Sequence, residues 1–175
     1  RVGLSDMSSE TVATFEESLE RLDVGWTHAD PEGFDATLRD VCTEPTIATP
    51  LSDPEITLPE WVETEPTTDD LRAARTGVTA AGIGIADYGS VVLPLMDQGS
   101  EPVSLFVDRH VAILDRSAVV AGMPEAFAWL GATIRDGDAT GSAIIATGPS
   151  ATADMGALVR GAHGPKSVHV VIVDE

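Results

Sequence analysis

The run Ser142-Ala143-Ile144-Ile145-Ala146-Thr147-Gly148-Pro149-Ser150-Ala151-Thr152-Ala153-Asp154-Met155 decides how this chain is read. Ser142–Thr147 is short and apolar, as a buried strand is, and Gly148-Pro149 makes a sharp turn. Ser150 or Thr152 can then cap a helix running through Met155, Leu158 and Val159. Gly161 suits a left-handed helix stop, Pro165 forbids continuation, and Val168–Val173 reads as a last strand. Strand, helix and strand in this order predict a right-handed parallel crossover.

Working back from that run, Gly77–Ala81, Gly84–Asp87, Ser90–Leu93, Ser104–Val107 and Val111–Leu114 predict closely spaced short strands, part of them antiparallel. Pro124 opens a helix with Phe127, Leu130 and Ile134 in register. Nearer the start, Ser8-Ser9-Glu10-Thr11 can cap a helix carrying Val12, Phe15, Leu19 and Leu22. Asp30-Pro31-Glu32 begins another with Phe34, Leu38 and Val41 on one face. Residues 43–70 hold Pro45, Pro50, Pro54, Pro59 and Pro66 and show no period, which predicts a surface excursion or a segment ordered by distant contacts, with Trp61 as its anchor. The expectation is a mixed-sheet α/β domain spanning 1–175, with N-terminal helices at about 8–41, this Pro-rich acidic excursion, and an α/β core at about 71–175.

Composition narrows the function classes. Ten basic residues against 29 acidic ones give a net charge of −19, and Lys166 is the single lysine. Such a surface repels phosphate backbones, so nucleic acid is excluded as a partner. Acids dispersed over a lysine-poor surface point to concentrated salt, where screening removes self-repulsion, as in a haloarchaeal cytoplasm; the alternative is an ordinary acidic protein from a GC-rich genome. No apolar run approaches the length of a membrane span, and the first residues lack the pattern of a secretory signal, so a cytoplasmic protein is expected. Cys42 is the only cysteine, which rules out an internal disulfide and a thiolate-built cluster or zinc site within these residues. It follows Val41 at the end of a helical pattern and reads as a half-buried core residue.

The Gly148–Ser150 turn, placed where a strand ends and a helix begins, would offer unsatisfied N–H groups to an anion. A well-capped helix without a ligand fits the same residues. His163, in the glycine-bounded run Gly161–Gly164, has no bulky neighbour to shield its ring. It is a candidate for proton exchange near neutral pH, or simply an exposed side chain. No second histidine stands at a helical metal-pair spacing from it, so no metal site is expected.

Two motifs taken together carry a resemblance. Gly148-Pro149-Ser150-Ala151-Thr152-Ala153-Asp154-Met155 followed by Gly161-Ala162-His163-Gly164-Pro165 and an apolar strand is similar to the LUD-domain family of lactate-utilisation proteins (LutC/YkgG type). Upstream, Val78-Thr79-Ala80-Ala81 through Ile85-Ala86-Asp87-Tyr88-Gly89-Ser90 and the segment Arg109-His110-Val111 match further family patterns. The likeness covers about residues 70–175. Ala151 replaces a usual Arg or Lys, Asp87-Tyr88 replaces Glu-Thr, and Gly156 replaces an acid.

The resemblance implies the layered fold of NagB/RpiA/CoA-transferase proteins. It also implies a part in oxidising L-lactate to pyruvate beside iron–sulfur proteins of the same operon. Redox centres would then belong to those partners, since these residues hold neither a dinucleotide fingerprint nor a cysteine set. On this reading Ser150, Thr152 and neighbouring N–H groups at Gly148 and Gly164 receive a small organic acid or phosphate, with Arg109 or Arg160 supplying charge. His110 or His163 exchanges a proton. Asp154 orients the loop or a histidine, and Asp87 acts as base or nucleophile; the alternatives are an exposed acid at Asp154 and a strand-end turn former at Asp87. The rival classes are a non-catalytic scaffold for iron–sulfur partners and a stand-alone isomerase or CoA-transferase-like enzyme.

Overall fold

A computed structural model describes residues 4–51, 56–94, 99–136, 142–154, 157–161 and 163–174. Its centre is an all-parallel five-stranded sheet. In chain order the strands are β1 (Gly25–Ala29), β2 (Thr46–Ala48), β3 (Thr76–Ala80), β6 (Arg109–Asp115) and β11 (Ser167–Val173), and their spatial order is β1-β11-β6-β3-β2. A second sheet combines β4 (Ile83–Ile85), β5 (Ser90–Pro94), β7 (Val119–Val120) and β8 (Ala143–Thr147) in the order β7-β4-β5-β8. β5 runs antiparallel to both its neighbours and β7 parallel to β4, so the α/β mixed-sheet expectation holds.

Parallel strands buried on both faces read as continuous apolar runs, and Val168–Val173 is such a run. Its alternate residues feed two different cores. Val111, Ile113, Val171 and Val173 face helix α2 (Phe34–Val41), whose Phe34, Leu38 and Val41 fall on one side at helical spacing. Ala112, Leu114, Val170 and Ile172 face the other way, onto Phe15 and Leu19 of α1 (Leu4–Arg21) and Val91 and Leu93 of the second sheet. Helix α2 starts at Phe34, three residues after the expected Pro31, with Asp30 accepting the Gly33 N–H at 2.6 Å.

Outside residues 52–55, which lie beyond the described ones, the Pro-rich excursion is ordered by distant contacts. It contains β2, buried throughout, and ends in the short helix α3 (Thr68–Ala73), capped by Thr67 and Asp70. Trp61 is its anchor. The ring packs on the α2 core, its Nε1 donates to Asp35 at 2.9 Å, and the Arg39 guanidinium lies 5.1 Å from the ring centroid. Cys42 is half-buried against the same core, as expected, and burial pushes its thiol up to about 11.

Four expectations need correction. Ser104–Val107 is not a strand, because Pro102 and the Ser104 hydroxyl bond to the Glu101 carbonyl place Ser100–Leu105 in a helix, α4. Residues after the Gly-Pro-Ser turn are not a helix. Ala151–Asp154 (β9) and Ala157–Arg160 (β10) form an antiparallel hairpin, so the turn has no helix dipole behind it. β8 and β11 lie in different sheets and make no parallel crossover. In helix α5 (Met123–Asp136), Ala126 and Trp129 rather than Phe127 and Ile134 meet the second sheet, because the helix is apolar on two sides and the period alone allowed either.

Candidate functional site

The paired motifs meet. Gly148 turns the chain at the end of β8 with φ +72°, a conformation that favours glycine. The Ser150 N–H then donates to the Pro165 carbonyl at 2.9 Å, and the Gly161 N–H donates to the Ser150 carbonyl at 2.9 Å. Ser150 Oγ accepts from the His163 N–H at 3.4 Å. Gly161 also lies at positive φ, and a Cβ there would strike Lys166. Two segments more than ten residues apart are thus clasped by backbone hydrogen bonds around one serine.

They close one side of a cavity of about 510 Å³. Its floor is His110 and Val168, the second residues of β6 and β11. Ser104 and Leu105 of α4 form one wall, and Leu93 with Ile144–Thr147 form another. The Gly-Pro-Ser turn does follow the carboxyl end of a strand, β8. The cavity it encloses, however, lies against the amino ends of the parallel sheet, the reverse of the usual rule for open α/β sheets.

His110 is fully buried, and Thr79 Oγ1 lies 2.8 Å from its Nε2. Burial lowers its pKa to about 4, so the ring is neutral at physiological pH. His163 is exposed at the cavity rim. The lining therefore offers two imidazoles and the hydroxyls of Ser104, Thr147 and Ser150 between apolar walls, with no lysine or arginine.

The other candidates lie elsewhere. Arg109 projects from the opposite face of the parallel sheet to His110, as alternation along β6 requires. One of its guanidinium nitrogens is 3.4 Å from Nδ1 of His169, whose Nε2 is 2.9 Å from Thr27 Oγ1. Burial first, and the Arg109 charge second, lower the His169 pKa to about 4. Arg160 pairs with Asp23 at 2.7 Å, so its charge is already met. Thr152 lies in β9 and does not line the cavity. Asp154 closes β9, and its side chain lies outside the described ones. Asp87 sits in a 3-10 turn beside a separate acidic hollow with Glu10 and Thr14, not in the cavity.

Sequence reading missed Ser104, Thr147, Thr79 and His169. The hydroxyl pair of buried Ser90 and exposed Thr147, 2.7 Å apart, joins β5 to β8 beside the turn and also left no local signal.

Comparison with known proteins supplies the relationship. The family model for the LUD domain matches residues 10–173. The Lactate utilization protein C of Bacillus licheniformis is 39% identical over 104 residues, 58% of this chain and 43% of that protein. That of Shouchella clausii is 28% identical over 126 residues, 71% of this chain and 55% of that protein. The chain thus matches about half the length of these bacterial relatives. A DUF162 family protein from Deinococcus radiodurans superposes with a TM-score of 0.68 over 95% of this chain and 98% of that one, at 19% identity, which shows a shared fold.

Proposed function

The chain belongs to the LUD-domain family, and from that premise we propose that it serves lactate utilisation as the component that holds a small organic acid. Oxidation of lactate to pyruvate releases two electrons and two protons. The neutral imidazole of His110, or else His163, can take the hydroxyl proton, and the Cα hydrogen leaves with the electron pair as hydride. The electrons need an acceptor outside these residues, whose single cysteine cannot hold a cluster. Iron–sulfur proteins acting beside this chain, with no redox cofactor of its own, fill that role in the proposal. The names of the bacterial relatives support the process, and the cavity supports the division of labour.

One observation carries the reading: the two motifs that define the family resemblance converge, through Ser150, on a single cavity lined by both histidines. Its volume falls in the range of about 300–1,000 Å³ usual for small-molecule sites. Hydroxyl donors and apolar walls suit a short hydroxy- or keto-acid. The missing cation, at Ala151 and throughout the lining, favours a singly charged carboxylate over a phosphate.

Thermal unfolding in molar potassium chloride, with L-lactate, pyruvate, phosphate and CoA added separately, tests it. A ligand held only by the folded chain at a hundredfold excess over its dissociation constant adds about 2.7 kcal/mol. A shift with lactate or pyruvate that disappears in Ser150→Ala supports the proposal. No shift with any of the four leaves a scaffold for partner proteins as the better reading, and a shift with CoA alone points to a transferase.

A further inference from the structure

A small carboxylate in the cavity must be gripped by neutral donors, since the lining holds no lysine or arginine. Two of the three lining hydroxyls are engaged within the chain. Ser104 donates to the Glu101 carbonyl at 3.0 Å, and Thr147 shares a hydrogen bond of 2.7 Å with Ser90. Ser150 accepts the His163 N–H, which leaves its own hydrogen to give. A carboxylate has two oxygens, and the next donor in the lining is an imidazole.

His110 is the imidazole whose state the fold decides. Gly77 and Thr79 of β3 lie on the face of the sheet that His110 takes on β6. Gly77 admits helix α4 so closely that a Cβ there would strike the Val103 carbonyl. Beneath that roof Thr79 is 0% and His110 2% exposed, and Thr79 Oγ1 stands 2.8 Å from Nε2. A hydroxyl always carries one hydrogen. Buried out of reach of water, that of Thr79 needs an acceptor, and Nε2 is in place to be one. Nε2 accepts only when it is bare, which puts the hydrogen of the neutral ring on Nδ1.

We propose that Thr79 is a positioning residue: it fixes His110 as the Nδ1–H tautomer, and His110 gives that hydrogen to an oxygen of the bound acid beside the Ser150 hydroxyl. This rests on the cavity being the carboxylate site. It also divides the work of the two imidazoles. The Nε2 lone pair is held by Thr79, so His110 serves as a donor and not as a base. The hydroxyl proton of a 2-hydroxy acid then goes to His163 at the rim, while the Cα hydrogen leaves as hydride to the acceptor outside this chain. Burial, which lowers the His110 pKa to about 4, keeps the ring neutral and so in one tautomer across the physiological range.

Long-range proton–nitrogen NMR of the chain labelled in its histidine rings reads the tautomer at neutral pH, with His110 assigned by its loss in His110→Gln. The expected result is an Nδ1–H ring in the wild type and in Thr79→Ser. In Thr79→Val, which keeps the shape and loses the hydroxyl, the ring should move toward Nε2–H. Calorimetry with pyruvate on the same proteins should show binding weakened about tenfold in Thr79→Val and restored to within about twofold in Thr79→Ser. Urea midpoints check that both variants fold, and the wild-type tautomer decides the matter even where Thr79→Val does not. An Nε2–H ring in the wild type, or the same tautomer in wild type and Thr79→Val, overturns the proposal even if pyruvate binds. Pyruvate affinity unchanged in Thr79→Val overturns it too. An Nδ1–H ring set by Thr79 in a chain that binds neither pyruvate nor lactate supports the tautomer assignment and overturns the carboxylate reading of the cavity.

Discussion

Lowering the pH from 7.5 to 5 should destabilise the fold through two buried imidazoles, and the effect can be assigned residue by residue. His110 and His169 are 2% and 8% exposed, and each has its pKa lowered from 6.5 to about 4. In the unfolded chain both titrate near 6.5. Stability contributed by the neutral rings is therefore complete above pH 6.5, falls as the pH drops toward 4, and falls no further below that. At pH 5 the unfolded chain has gained about 1.5 pH units of protonation free energy that the folded chain has not, or about 2 kcal/mol per histidine and about 4 kcal/mol for the pair. Hydrogen bonds from Thr67 hold the Asp70 carboxyl below its ordinary value, and those from Arg116 and His28 do the same for Asp174 against the opposing effect of burial, so the contribution of these two is lost at lower pH. Urea unfolding at fixed high salt, at half-unit steps from pH 7.5 to 4.5, measures the slope. His110→Gln should remove about half of it whatever it does to stability at pH 7.5. Equal slopes in wild type and His110→Gln would refute the claim that this ring is held neutral by burial.

Other consequences follow from the same packing and charges. Gly77→Ala should cost about 1–3 kcal/mol or more in urea unfolding, because its Cβ would stand 1.9 Å from the Val103 carbonyl of α4 and one element must move. Arg109→Met should leave ligand affinity at the cavity within twofold, since the side chain lies across the sheet, while the His169 pKa read by NMR rises. Moving from 2 M to 0.1 M potassium chloride should lower the unfolding midpoint, because the net charge of −19 loses its screening. A midpoint insensitive to salt would count against a surface adapted to concentrated salt.

Where the sequence carried strong local punctuation, it could be read. Gly148-Pro149 and Gly161–Pro165 are turns that few other residues can make, and the apolar runs ending at Thr147 and Val173 have strand length and composition. Elsewhere the deciding contact was remote. Ala151–Asp154 and Ala157–Arg160 suit a helix as well as a hairpin until each is seen to pair with the other. Thr46-Ile47-Ala48 is a strand because β3, thirty residues on, lies on one side of it and Glu63 on the other. Helix α5 is apolar on two sides, and the period could not say which of them the core buries. Of the site, Ser150, His110 and His163 were legible from motifs. Arg109, next to His110 in sequence, was placed on the wrong side because strand alternation separates neighbours. Ser104 entered with a helix read as a strand.

The central claim is that the cavity beneath the Gly148–Ser150 turn holds a small carboxylate. Isothermal titration calorimetry of L-lactate and pyruvate into the chain at 2 M potassium chloride tests it most directly, with Ser150→Ala and His163→Ala titrated alongside and urea midpoints confirming that both are folded. The account predicts one site per chain for at least one of the two acids, weakened about tenfold in each variant, the equivalent of about 1.4 kcal/mol. Binding of equal strength in both variants, or none in the wild type, would contradict it.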